Sequence, residues 1–249
     1  MPGSRAGGGA ADRRERALTY TILAVDRRAG LVGGATASFS LAVGNSVLAV
    51  QPSVGVVASQ AWTNRRLRGR LLAALEAGDE PAVAVGRVPE WDDEPELRQV
   101  AVLGVDGRGA HRTGARTSSW AGGLVLPDVV VVGNLLAGAP VLDAMLAGWA
   151  GFPTWRDHAG DPGAATRDPS DGEAAEAFAH RLLAAVRAGE RAGGDLRGRQ
   201  SAGLLVGRTE ETAAWPPQLA VDLRVDDGLD PLDELDRLLR LPGAVAAPA

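Results

Sequence analysis

The sequence predicts an α+β protein in which antiparallel sheets are covered by helices, and three observations predict it. Strand-like runs arrive in pairs joined by short turns, which is how antiparallel hairpins are built and not how parallel βαβ units are built. Helical runs fall in blocks between those pairs, giving strands, two helices, strands, two helices, strands and a helix. The 249 residues are 45% hydrophobic and 23% charged, enough apolar mass for one large core. Two sheets packed face to face with helices outside absorb this count.

In order, Leu18–Val25 (LTYTILAV) is a β-branched run closed by Asp26–Gly30, and Leu31–Ser38 is its small, apolar hairpin partner. Val47–Val50 and Gly55–Ser59 form a second hairpin about Gln51, Pro52 and Ser53. Asn64–Ala77 is a helix capped by Thr63 or Asn64 and stopped by Gly78, with Leu67, Leu71, Leu72 and Leu75 on one stripe. Glu80–Val88 is a second, short helix. Arg98–Val105 and Arg108–Thr113 are strands joined by an Asp106-Gly107 turn. Val129–Val132 is a buried strand leading through Gly133-Asn134 to a helix from Pro140 to Trp149. Phe152–Gly172 reads as an exposed loop and Glu173–Ala192 as the longest helix. Ser201–Val206 and Leu219–Val225 are strands and Asp230–Leu241 the last helix. Residues 1–17, rich in Gly, Ala and Arg, read as a flexible tail, residues 18–241 as one domain, and 242–249 as a frayed end.

Composition excludes several kinds of chemistry. Cysteine is absent, which removes disulfides, thiolate nucleophiles and thiolate metal sites. All 26 basic residues are Arg, so a phosphate loop of the G-x-x-x-x-G-K-[ST] kind is excluded; an Ala- and Gly-rich chain without Lys points to a GC-rich coding background. The net charge of −5 argues against nucleic acid as a partner. No apolar run approaches the roughly 20 residues that span a bilayer, and the first 16 residues lack the apolar stretch of a secretory signal, so the expected compartment is the cytoplasm. His111, His158 and His180 make no HxH, HxxxH or HExxH motif, so neither a metal nor another cofactor is expected. Gly33-Gly34 and Gly122-Gly123 are explained by close sheet packing and a turn.

One position carries chemistry. Thr19 stands at the very start of the first strand of a hairpin. In N-terminal-nucleophile (Ntn) hydrolases a Ser, Thr or Cys occupies that place and its own α-amine, with a pKa near 8, serves as base. Such a site needs no His, Cys or Lys. A threonine that simply begins a strand is the plain alternative.

The runs Thr19–Asp26 (TYTILAVD), Ala42–Gly44, Gly55–Asn64 (GVVASQAWTN), Arg98–Val100, Gly133–Gly138 (GNLLAG), Gly193–Ala202 (GGDLRGRQSA) and Asp222–Asp227 (DLRVDD) together resemble the family called domain of unknown function 1028, over about residues 19–240. The resemblance implies an Ntn-type, four-layer αββα sandwich of two antiparallel sheets with helices outside. On that scaffold Thr19 is expected as nucleophile and Asn134 as oxyanion donor, through its side-chain amide or the neighbouring backbone N–H. Asp195 and Ser201 are expected to orient the nucleophile, while Arg197 or Arg199 grips a substrate carboxylate in two-point fashion. Ser59, Gln60 and Asn64 add polar groups for the substrate. Three features depart from the family pattern: 18 residues precede Thr19, Phe39 replaces a basic residue, and Arg208–Leu219 (RTEETAAWPPQL) replaces a Gly- and Asn-Asp-Arg-containing stretch.

The reading that follows is hydrolysis of a linear amide or related C–N bond in a small molecule, through an acyl-threonine. Its rivals are an Ntn-fold binding or assembly module without turnover, and a serine hydrolase using His111. Six tryptophans in or beside loops and element ends favour a homodimer.

Overall fold

The computed structural model describes residues 19–117, 120–152, 170–211 and 216–247. Two antiparallel sheets carry the chain. The six-stranded sheet has the order β10-β9-β2-β1-β8-β7 and the four-stranded sheet β3-β4-β5-β6. Its strands are β1 (Thr19–Asp26), β2 (Leu31–Ser38), β3 (Leu48–Gln51), β4 (Gly55–Ala61), β5 (Arg98–Gly104), β6 (Gly109–Thr113), β7 (Ala121–Leu126), β8 (Val129–Asn134), β9 (Ser201–Arg208) and β10 (Val221–Val225). The helices are α1 (Val43–Ser46), α2 (Arg66–Glu76), α3 (Pro81–Gly86), α4 (Val88–Trp91), α5 (Pro140–Gly151), α6 (Asp171–Arg191) and α7 (Pro231–Leu239).

Strand alternation divides the apolar residues into three clusters. On β1, Tyr20, Ile22 and Ala24 face α5 and α6 and join Met145, Phe178, Leu182 and Val186. Leu23 and Val25 point the other way, toward Val56, Ala58, Ala101 and Leu103 of the four-stranded sheet. That sheet turns its outer face, with Val57, Val100 and Val102, to Leu67, Leu71 and Leu72 of α2 and to Ala84, Val85 and Val88 of the following helices. The leucine stripe of α2 is therefore a packing face.

Local sequence explains most boundaries. Asn64 Oδ1 accepts from Arg66 N (3.0 Å) at the start of α2, and Gly78, with φ +93°, follows its end. Ser170 and Glu173 form a reciprocal capping box on α6, which begins two residues before the expected start. The single helix expected over 80–88 is two, because Pro89 cannot supply the N–H that continues α3 and instead starts α4. The sequence reading missed β7, where Gly122-Gly123 lies within a strand. A Cβ at Gly123 would come within 2.8 Å of Val132 Cγ1. The chain after 242 is held as far as Ala246, whose N–H donates to Ala220 O (2.8 Å) and whose carbonyl accepts from Arg208 (2.8 Å). The tail expected at 1–17, Leu18, most of the expected loop at 152–172, His158, Trp155 and Trp215 lie outside the described residues. Among the described residues no helix is long and apolar enough to cross a membrane.

Candidate active site

Between the sheets the packing changes character along the strands. Where Leu23, Val56, Leu103 and Val130 meet it is apolar. At the end where β1 begins and β2, β4 and β8 finish, the same inward positions carry Thr19, Thr21, Thr36, Ser38, Gln60, Gln99 and Asn134, all buried.

These side chains form one network. Thr19 Oγ1 donates to Ser38 Oγ at 3.3 Å. The Thr19 carbonyl accepts from Gln60 Nε2 (3.2 Å) and Asn134 Nδ2 (3.4 Å), one amide from each sheet. Both amides also donate to Gln99 Oε1, at 2.8 and 3.1 Å. Gln99 Nε2 donates to Gly133 O (2.9 Å), Gly122 O (3.1 Å) and Thr113 Oγ1 (3.0 Å). The two backbone carbonyls accept and never donate, so they fix which end of the Gln99 amide faces them. Thr21 Oγ1 lies 2.8 Å from Thr36 Oγ1 and donates to Gln60 Oε1 at 2.7 Å.

Asn134 is spent in an unexpected way. Its NH₂ is committed to Thr19 O and Gln99 Oε1, while Oδ1 is buried without a partner. The free valence of this side chain is an acceptor, which leaves the backbone N–H as the alternative oxyanion donor of the two expected.

Backbone strain converges on the same place. Among the described residues five non-glycine positions have positive φ; Ala61 ends β4 at 67° and Leu135 follows β8 at 55°, while Trp120, at 39°, precedes β7 beside the end of β8, and Ala42, at 54°, precedes α1. Conformations of this kind cost of order 1–3 kcal/mol each and concentrate at functional sites.

The remaining expected residues do other work. Asp195 Oδ2 accepts from Phe39 N (2.7 Å) and Oδ1 from Arg197 N (2.8 Å), and Arg197 also pairs with it at 3.1 Å. Ser201 Oγ bonds Ser40 O and accepts from Val43 N (3.0 Å). Both therefore hold the β2–α1 turn that follows Ser38. Arg199 is paired with Glu190 (3.1 Å) and Asp230 (2.6 Å). Ser59 faces away from Gln60, as adjacent strand residues must, and donates to Asn64 O at 3.0 Å. Asn64 Nδ2 donates to Asp92 Oδ2 (2.8 Å), which Arg98 grips at 2.8 and 3.1 Å. Burial pushes the Asp92 carboxyl up, but hydrogen bonds from Arg98, Asn64 and Glu94 N prevail and bring it down to about 2.

His111 lies on β6 against Gly123. Its Nδ1 is buried without a partner and burial lowers its pKa. Among the described residues no three His, Asp or Glu side chains gather as a metal site. A groove lined by Glu76, Asp79, Asp106 and Arg108 lies at the far strand ends, beside the β5–β6 turn, where Arg108 is engaged by Glu80 and Asp106.

Of the expected residues, Thr19, Gln60 and Asn134 share this network, which also includes Gln99, Thr21, Thr36 and Ser38, residues the sequence did not single out. The available signal was alternation: an amide or hydroxyl at an inward position of a strand that is otherwise apolar.

Residues 19–235 match the model of a family of unknown function, DUF1028. The chain belongs to this family. The DUF1028 match begins at Thr19, the residue on which the network closes. A crystal structure of the DUF1028 protein SPO2555 from Silicibacter pomeroyi is similar over 89% of this chain and 84% of that one, at 31% identity and a TM-score of 0.71. No curated protein matches.

Proposed function

We propose that the chain is an Ntn-type hydrolase whose nucleophile is Thr19, and that it opens a linear amide or related C–N bond. In this reading the helix–sheet–sheet–helix stacking is the four-layer sandwich of that superfamily. One observation carries the reading. The first residue of a central strand has its hydroxyl buried against Ser38 and its carbonyl held by amides from both sheets.

The chemistry requires the Leu18–Thr19 bond to be open. The α-amine of Thr19 then takes the Oγ proton as Oγ bonds to the substrate carbonyl carbon. The oxyanion falls to a backbone N–H beside Asn134, where Leu135 leaves strand geometry at φ +55°. Collapse breaks the C–N bond and the amine's proton passes to the leaving nitrogen. Water then attacks the ester, releasing a carboxylic acid and restoring the hydroxyl. The unpartnered Asn134 Oδ1 is complementary to an N–H, of either the α-amine or the substrate amide.

The test is intact-mass analysis with a β-lactone probe. Chain beginning at Thr19 should gain one probe mass on Thr19, with a rate that rises with pH to a plateau above about 8, where the amine is neutral. Thr19→Ala should abolish labelling. Full labelling of Thr19 in a chain that retains residues 1–18 sinks the mechanism; no labelling of the opened chain favours a binding module without turnover.

A further inference from the structure

A strap joins the ends of the two strands that flank β1. Leu136, just past β8, bridges Asp195, and Gln200 N donates to Ser38 O (3.2 Å) at the end of β2. Because β1 lies between β8 and β2, residues 195–200 are tied to the strands on both sides of the one that Thr19 begins. Gly198, with φ +118°, turns the strap through a bond from its N–H to Asp195 O (3.1 Å).

The strap and the adjoining β2–α1 turn present apolar side chains to solvent: Phe39 is 40% exposed, Leu41 67% and Leu196 63%. The Arg197 guanidinium lies 5.3 Å from the centre of the Phe39 ring while paired with Asp195. The two arginines expected to hold a substrate carboxylate are thus charge-compensated within the fold, Arg197 by Asp195 and Arg199 by Glu190 and Asp230. Beneath the rim, Thr19, Thr21, Thr36, Ser38, Gln60, Gln99 and Asn134 carry no formal charge. A charged group brought there loses hydration without a counter-ion, whereas an apolar group gains by covering Phe39, Leu41 and Leu196. The acyl group that the chain itself joins to Thr19 is that of Leu18, which is apolar.

We infer that the site accepts an uncharged acyl group bearing an apolar substituent, seated on Phe39, Leu41 and Leu196 where the strap joins the strands that flank β1. This rests on Thr19 being the nucleophile.

The experiment compares three β-lactones on chain opened at Thr19: one unsubstituted, one with an alkyl arm, and one whose arm of equal length ends in a carboxylate. The alkyl lactone should acylate Thr19 about tenfold or more faster than the carboxylate one. Leu196→Glu, on the exposed strap, should cut that ratio several-fold, and Val83→Glu, 51% exposed on α3, should leave it unchanged. Equal or faster acylation by the carboxylate lactone overturns the inference while leaving Thr19 as nucleophile, and so does an unchanged ratio in Leu196→Glu. Failure of all three lactones to label Thr19 overturns the hydrolase reading and this inference with it.

Discussion

The two ends of the space between the sheets are equally buried and oppositely built. At one end Leu23, Val56, Leu103 and Val130 fill it with hydrocarbon, so its stabilisation is proportional to area and indifferent to small rotations. At the other, Thr19, Gln60, Gln99 and Asn134 fill it with amides and a hydroxyl, so stabilisation depends on each donor meeting its acceptor. The difference separates two jobs on the same strands. Hydrocarbon sets how firmly the sheets adhere, and the amide network sets where the Thr19 carbonyl, and with it the Thr19 hydroxyl, is held.

The largest expected effect breaks the apolar end. Leu23 is fully buried at the centre of β1, and Leu23→Ala should cost about 3 kcal/mol, the removed hydrocarbon plus the cavity it leaves. Denaturant titration reads the loss. Thr19 in the folded fraction should react with β-lactone at the parent rate, because no donor of the network has moved.

Gln99 sharpens the comparison from the polar side. Gln99→Leu keeps the bulk and deletes the hub, leaving Gly122 O and Gly133 O without its donors and the Gln60 and Asn134 amides without their shared acceptor. The expected cost is about 2 kcal/mol, less than at Leu23, with Thr19 acylation at least about tenfold slower. Parent-rate acylation in a folded Gln99→Leu chain refutes a positioning role for the network.

Next in size is a pH effect at the margin of the polar end. Asp92 holds Asn64 and Arg98, and Arg98 in turn donates to Trp62 O at 2.6 Å, just beyond β4. Its pKa falls from 3.8 to about 2 on folding, so the folded state favours the ionised form. The stabilisation is therefore complete above about pH 4 and is lost as pH drops through about 2, amounting to about 2 kcal/mol. Unfolding at pH 5, 3 and 2 should show this slope, and Asp92→Asn should remove it.

Apolar packing was legible in the sequence because burial writes a period into the chain. The Leu67–Leu75 stripe, the run of valines at 129–132 and the TYTILAVD strand each announce themselves. β7 did not, since AGGLVL lies at the edge of its sheet, half-covered and rich in glycine, and carries no alternation. At the polar end, Thr19 stood out by its place at a strand start and Asn134 through the family resemblance, and the two are register partners. Ser59 could not join Gln60 in the site because neighbours on a strand face opposite ways. Asp195 begins the strap and Ser201 follows it, and only the tertiary path shows their bonds going to the β2–α1 turn. Gln99 was invisible as a site residue because its role lies in contacts with four other strands, β4, β6, β7 and β8.

The smallest expected change in stability tests the comparison most finely. Thr19 donates to Ser38 Oγ across 3.3 Å, a long bond worth about 0.5–1 kcal/mol at most, so its loss in Ser38→Ala should by itself scarcely move the unfolding midpoint. If the polar end exists to hold the reacting group, removing that acceptor frees the Thr19 hydroxyl to rotate, and acylation should slow several-fold. The proton leaves through the α-amine in this mechanism, so the pH midpoint of acylation should stay where it is in the parent chain. A shifted midpoint with an unchanged plateau would make Ser38 part of the base itself, and an unchanged rate and midpoint would reduce the Thr19–Ser38 contact to packing between neighbouring strands.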